Sequence, residues 1–244
     1  MERKTACITG ASRGIGRAIA EMFAADGYDL FLTCHKNEKM LQEFCSQLEE
    51  KYSVSCAAFA GDIGDADQTE QLFTVIEEKR GRLDVLGNNA GISWHGLLTD
   101  MTPDEWNTMI NTNLSSVFYT SRLAIPLMLK RHRGKIINIS SVWGCVGASC
   151  ETAYSAAKGG VNAFTQALAK ELAPSNIQVN AIACGAIDTE MNGFLLPEER
   201  RELEEEIPTG RFGTPAEVAK LTLSLCGGNE YLTGQIIRLD GGWI

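Results

Sequence analysis

Seven short runs rich in β-branched and other apolar residues recur along the chain, at 5–9, 28–34, 54–60, 83–88, 134–140, 177–183 and 234–239. Segments of helical periodicity fill the gaps, at 15–26, 38–51, 65–80, 103–131, 152–173, 198–206 and 215–226. No other feature limits the fold as tightly. Strands that are apolar almost throughout are buried on both faces, and their alternation with helices implies a parallel sheet covered on both sides. No Pro/Ser-rich linker, composition break or solenoid-length repeat divides the 244 residues. The expectation is therefore one doubly wound α/β domain spanning 1–244. In such sheets ligands bind beyond the carboxyl ends of the strands, where the strand order switches.

The first strand end carries three glycines, Gly10, Gly14 and Gly16, in "TGASRGIG", and Ile15, Ala18, Ile19, Met22 and Phe23 then share one helical face. Strand, glycine turn and helix is the layout that holds a phosphate on free backbone N–H groups at a helix N-terminus. The spacing is G-x-x-x-G-x-G rather than G-x-G-x-x-G, and no Gly-Lys-Ser/Thr of a P-loop follows. Three glycines alone serve a ligand cradle or a tight connection equally well. The later strand ends separate the two: "GDIG" (61–64), "NNAG" (88–91), "SSVWG" (140–144) and "ACGAIDTEM" (183–191) all bring small or polar residues to the same edge. Gly and Asn are ordinary turn formers, but four such ends in succession point to a ligand lying across the sheet.

A net charge of −9 argues against nucleic acid or an anionic membrane as the main partner. The N-terminus lacks the apolar stretch of a signal peptide and no segment is long and apolar enough to span a bilayer. The eight cysteines form no CxxC pair, and His35, His95 and His132 show no ligand spacing. The cysteines read as small buried hydrophobes of a cytoplasmic, reducing environment, with no metal site or disulfide framework expected.

Within "ETAYSAAKGGVNAFTQALAKEL", Tyr154 and Lys158 stand four apart and share a helical face. An isolated YxxxK is an ordinary surface pair. Here Ser141 closes a strand thirteen residues upstream and Asn113 lies in "NTNL". A ketone reductase needs a hydride donor, an acid for the developing alkoxide and a dipole on the carbonyl oxygen. A tyrosine with an ordinary pKa of about 10 keeps its proton at neutral pH, and a nearby ammonium stabilises the phenolate left behind.

"TGASRGIG", "NNAG", "NTNL", Ser141, "YSAAK" and the closing "GQIIRLDGGWI" resemble, in order and spacing, the short-chain dehydrogenase/reductase family across nearly the whole chain. The resemblance implies a seven-stranded Rossmann-type sheet, a homotetramer and a catalytic tetrad of Asn113, Ser141, Tyr154 and Lys158. It also implies that Asn113 holds a water relaying protons to Lys158, and that Lys158 contacts the coenzyme ribose. Gly10, Ser12, Arg13, Gly14, Ile15 and Gly16 would cradle the dinucleotide. Asp62 and Ile63 would flank the adenine, Asn89, Ala90 and Gly91 would line the ribose side, and Gly185, Ile187 and Thr189 would meet the carboxamide and phosphates. Cys184 departs from the pattern, since the family usually has Pro before that glycine. A segment at about 190–212 would form a substrate lid.

The second strand ends in "LTCHKNEK", with His35 and Lys36 but no carboxylate before Glu38. An NAD-specific site has an acid there for the ribose hydroxyls, so these residues and Arg13 predict NADPH as the coenzyme. For the ketone, the general resemblance is to bacterial 3-oxoacyl-acyl carrier protein reductases, with "KRHRGK" (130–135) as a docking surface for the acidic carrier. That run equally suits the C-terminus of a helix, and "PSN" (174–176) replaces a basic residue common in that subgroup. Two stretches, "VGASCETAYSAAKGG" and "ACGAIDTEMN", instead resemble reductases of the 5-aminopentanone modification on elongation factor P. Glu151 and the acidic "PEERRELEEE" (197–206) would suit an amine-bearing ketone, although such a run is also an ordinary solvated helix face. A dinucleotide sensor without catalysis typically loses Tyr or Lys of the pair, and both are present.

Overall fold

Every strand of the sheet is parallel to its neighbours, in the order β3-β2-β1-β4-β5-β6-β7. These are β1 (Thr5–Ile8), β2 (Asp29–Cys34), β3 (Cys56–Ala60), β4 (Val85–Asn88), β5 (Gly134–Ser141), β6 (Ile177–Cys184) and β7 (Ile236–Leu239) in a computed structural model that describes residues 3–244. The helices are α1 (Gly14–Ala25), α2 (Glu38–Tyr52), α3 (Ala66–Arg80), α4 (Pro103–Ile110), α5 (Ser116–Leu129), α6 (Trp143–Val146), α7 (Thr152–Leu172), α8 (Pro197–Glu206) and α9 (Pro215–Cys226).

The two-residue period of a strand divides the core into two layers. Ala6 and Ile8 of β1, with Leu30 and Leu32 of β2, face Ile19 and Phe23 of α1, Leu41 and Phe44 of α2 and Val218 of α9. The alternate residues, Cys7 and Phe31, face Leu72 and Ile76 of α3, Leu127 of α5 and Leu168 of α7. Strands β1, β2, β4, β5 and β6 are buried nearly throughout, whereas the edge strands β3 and β7 are mostly half-buried. The chain leaves β3 and returns at β4 on the far side of β1, so the order switches between β1 and β4. The carboxyl ends of those two strands therefore diverge into a crevice.

Two expectations change. The helix expected over 103–131 is three pieces: α4, a π-helical turn (Asn111–Ser115) and α5. The extra residue in the turn lets the buried Asn113 side chain reach the loop after β4. The cysteines are not uniformly buried either: Cys145 and Cys150 are exposed, on the segment that joins β5 to α7. None of the helices among the described residues is long and apolar enough to cross a membrane.

The basic run 130–135 lies just before and at the start of β5. Ser141 is at the other end of the same strand, roughly 23 Å away at the usual rise per residue. Lys130 pairs with Glu77 at 2.8 Å and Arg133 with Asp84 at 3.5 Å. The run belongs to the amino-terminal edge of the sheet, opposite the crevice.

Candidate active site

The glycine turn owes its shape to close packing. Gly10 has φ +65°, and a Cβ there would lie 2.8 Å from the Ala90 Cα. Gly14 has φ +55°, again a region that favours glycine. A Cβ on Gly16 would sit 2.3 Å from the Gly10 carbonyl oxygen, so only glycine lets α1 start this near the turn. The loop after β4 is fastened alongside. The backbone N–H groups of Asn89 and Ala90 donate to Thr9 Oγ1 at 2.9 and 3.0 Å, and the Asn89 amide donates to the carbonyls of Thr9 and Gly10 at 3.0 and 3.1 Å. At the start of α1, Arg13 makes no side-chain capping bond and no acid occupies the first turn. The first-turn N–H groups, which have no partner inside a helix, are left for an anion.

A cleft of about 1030 Å³ runs along this edge of the sheet. Its walls include Gly10, Ser12, Arg13, Gly14 and Ile15, then His35 and Lys36, Asp62 and Ile63, Asn89, Ala90 and Gly91, and Gly185, Ile187 and Thr189. Ser141, Tyr154 and Lys158 line it as well. Of the residues expected at the site, Gly16 and Asn113 stand behind the wall, Gly16 for the packing reason above. The cleft's extent along the sheet edge and its uncapped helix N-terminus fit a dinucleotide.

The catalytic candidates converge at the carboxyl end of β5. Ser141 ends that strand, paired in register with Cys184 of β6. Tyr154, in the first turn of α7, lines the cleft together with Ser141. Burial pushes the Tyr154 phenol above its ordinary value, and the nearby Ser141 hydroxyl opposes this only in part. One turn on, Lys158 is 5% exposed and lies with its Nζ 5.7 Å from the Tyr154 ring centroid. Its ammonium donates to the Ile139 carbonyl at 2.8 Å. Burial lowers the Lys158 pKa from 10.5 to about 8. The same desolvation thus drives the two pKa values apart, disfavouring the phenolate and the ammonium alike.

Helix α7 approaches so closely because Gly144 has no side chain: a Cβ there would meet the Lys158 carbonyl carbon at 2.6 Å. Asn113 is completely buried. Its amide donates to the Ile92 carbonyl at 2.8 Å and lies 2.8 Å from the Met109 sulfur, while its oxygen accepts from the Ile92 N–H at 2.8 Å. The side chain is spent on fastening the loop after β4 and has no free polar atom for a water. Cys184, where the family has Pro, is 5% exposed, and burial raises its thiol pKa to about 12, so it is a neutral wall of the cleft.

Several contacts along the wall carry no signal in spacing or motif. Trp143 follows Ser141 and meets Trp243, from the C-terminal end, edge-on with ring centroids 4.8 Å apart. His95 packs on Phe194 at 4.5 Å and lies 3.7 Å from the Glu151 carboxylate. Burial raises the Glu151 pKa, and the neighbouring His95 and Trp143 oppose this. Leu203 and Glu206 of α8 close the opposite wall. The sequence separations (Trp143 to Trp243, His95 to Phe194) explain why these contacts were not readable: only the folded chain brings them together.

The chain matches the family model of short chain dehydrogenases over residues 4–200. It is 40% identical over 241 residues to the uncharacterized oxidoreductase YmfI of Bacillus subtilis, covering 98% of each chain. It is 39% identical over 246 residues to the 3-oxoacyl-[acyl-carrier-protein] reductase FabG of Thermotoga maritima, covering 100% of this chain and 99% of that one. Among solved structures it is similar to YwfH, an NADPH dependent reductase involved in bacilysin biosynthesis. That match has a TM-score of 0.94 at 26% identity, over 100% of this chain and 99% of the other.

Proposed function

The chain belongs to the short-chain dehydrogenase family and is an oxidoreductase, and from that premise we propose that it reduces a ketone to a secondary alcohol with NADPH. One observation carries the reading: a half-buried tyrosine, backed by a buried lysine one helical turn on, opens with Ser141 onto the same cleft as an uncapped helix N-terminus. The bound nicotinamide coenzyme supplies the hydride. The residues of the chain do the rest. Ser141 donates a hydrogen bond to the ketone oxygen, and Tyr154 gives that oxygen its proton. Lys158 stabilises the phenolate and binds the ribose. The Asn113 side chain is engaged by Ile92, so a relay water there would have to be held by its main chain.

The choice of NADPH is supported by Arg13, His35 and Lys36 on the cleft wall and by the absence of an acid before Glu38. Comparing kcat/KM for NADPH and NADH with a simple diketone tests it. Equal values, or a preference for NADH, would overturn it. A homotetramer, proposed on the family resemblance, is checked by sedimentation.

For the substrate, a 3-oxoacyl group on acyl carrier protein is supported by what the Thermotoga and Aquifex aeolicus relatives are named for. Docking through 130–135 is dropped from that reading, because the run belongs to the opposite sheet edge. A second reading, reduction of the 5-aminopentanone modification on elongation factor P, is favoured by a specific feature. The Glu151 carboxylate faces the substrate side of the cleft with its side chain only 15% exposed, and an amine is the partner that relieves a desolvated carboxylate. Turnover of both substrates, side by side, with Glu151→Gln, separates the two. Selective loss on the amine substrate supports the second reading, and an unchanged rate on it removes Glu151 from substrate recognition.

A further inference from the structure

An ion pair at the mouth of the cleft ties the glycine turn to the segment that leads into α8. Arg13 Nη1 lies 2.6 Å from Glu190 Oε2, and both side chains are exposed, at 63% and 64%. Arg13 is the N-cap of α1 and Glu190 opens the 3-10 turn Glu190–Asn192. The far end of that turn is pinned by the Asn192 amide, which donates to the Ile187 carbonyl at 2.8 Å. Thr189, just before it, packs within 3.5 Å of where a Gly14 Cβ would stand. Glu190 is therefore held at a fixed place beside the one arginine of the glycine turn. Its carboxylate neutralises the cation that, together with His35 and Lys36, the cleft offers to a second phosphate.

We propose that Glu190 is a specificity-determining residue that competes with the coenzyme's 2′-phosphate for Arg13. The inference rests on the NADPH reading above. A phosphate monoester brings close to two negative charges and three acceptor oxygens, and it engages a guanidinium in two parallel bonds. It displaces the single carboxylate contact seen here, at the cost of breaking that pair. NADH has no group that requires the exchange. The pair thus penalises NADPH alone and narrows the preference that Arg13 and Lys36 create. Because the pair is exposed, the penalty is modest, about two- to fivefold in affinity.

Calorimetric titration with adenosine 2′,5′-bisphosphate and with 5′-AMP isolates the 2′-phosphate without any turnover. The wild type is expected to prefer the bisphosphate. Glu190→Gln is expected to bind the bisphosphate about two- to fivefold more tightly and 5′-AMP unchanged, with thermal melting to verify folding. In an Arg13→Ala background the same Glu190 substitution is expected to change nothing, since the effect acts through the arginine. A wild type without preference for the bisphosphate overturns the NADPH reading, and this proposal with it. A wild type that prefers it, with Glu190→Gln no tighter, overturns the competition alone. Equal tightening with and without Arg13 also overturns it, because Glu190 then acts as a distant charge.

Discussion

At the scale of single residues, the chemistry turns on one desolvated pair. Burial moves the Tyr154 phenol up and the Lys158 ammonium down, the latter to about 8. Tyr154→Phe keeps the ring and its packing and deletes only the proton donor. We expect coenzyme binding to persist while kcat falls on the order of 100- to 10,000-fold, the usual worth of a positioned general acid. Near-normal turnover would remove Tyr154 from that role. The lysine gives a second prediction. Reduction uses its protonated form, so kcat should fall as pH rises through about 8. Stability should move the other way. The folded-state pKa lies below the unfolded value of 10.5, so the unfolded chain binds more protons between these limits and the folded state gains with rising pH. The difference in unfolding free energy between the wild type and Lys158→Met, followed from pH 7 to 11, isolates this group. A difference that is flat across the window would contradict the assignment.

At the scale of elements, the parallel strands separate two edges with different work. The carboxyl edge holds the glycine turn, Ser141, Gly185 and the loop pinned by Asn113. The amino edge holds Asp84, 8% exposed, and the cations around it. The run 130–135 belongs to the second group. Charge reversal of Lys130, Arg131 and Arg133 to Glu should leave KM for a carrier-bound thioester unaltered, since the mouth of the cleft is at the other end of β5. It should instead lower Tm, because Glu77 and the buried Asp84 would then face like charges. A raised KM at unchanged Tm would mean that the run contacts the substrate's carrier after all. The π-helical turn between α4 and α5 illustrates the same dependence on position: one extra residue in the turn directs the Asn113 amide onto Ile92 and fixes the wall of the cleft.

At the scale of the whole molecule, the cleft draws its walls from positions as far apart as Gly10 and Trp243. A ligand there joins the glycine turn, α7, the end of β6 and α8, and binds only the folded chain. NADPH at a hundred times its Kd should therefore stabilise the protein by about 2.7 kcal/mol. For a chain of this size that raises Tm by roughly 5–10 °C. NADH at the same concentration should raise it less. Melting curves that do not respond to either coenzyme would contradict the site.

The alternation of apolar runs and helical periodicity was enough to derive a parallel sheet with helices on both faces, because burial on two sides leaves a strand no other composition. The residues at strand ends were legible for a related reason. A phosphate cradle needs glycine where a Cβ would strike backbone, as at Gly10 and Gly16, and an acid–base pair on a helix needs a spacing of four, as at Tyr154 and Lys158. Other features were decided by tertiary structure. The ion pair of Arg13 with Glu190, the contact of His95 with Phe194 and the placing of the basic run behind the sheet join residues far apart along the chain. Local pattern records which face of an element is buried. It carries no record of which distant element comes to lie against that face, and that depends on the packing of the whole sheet and its helices.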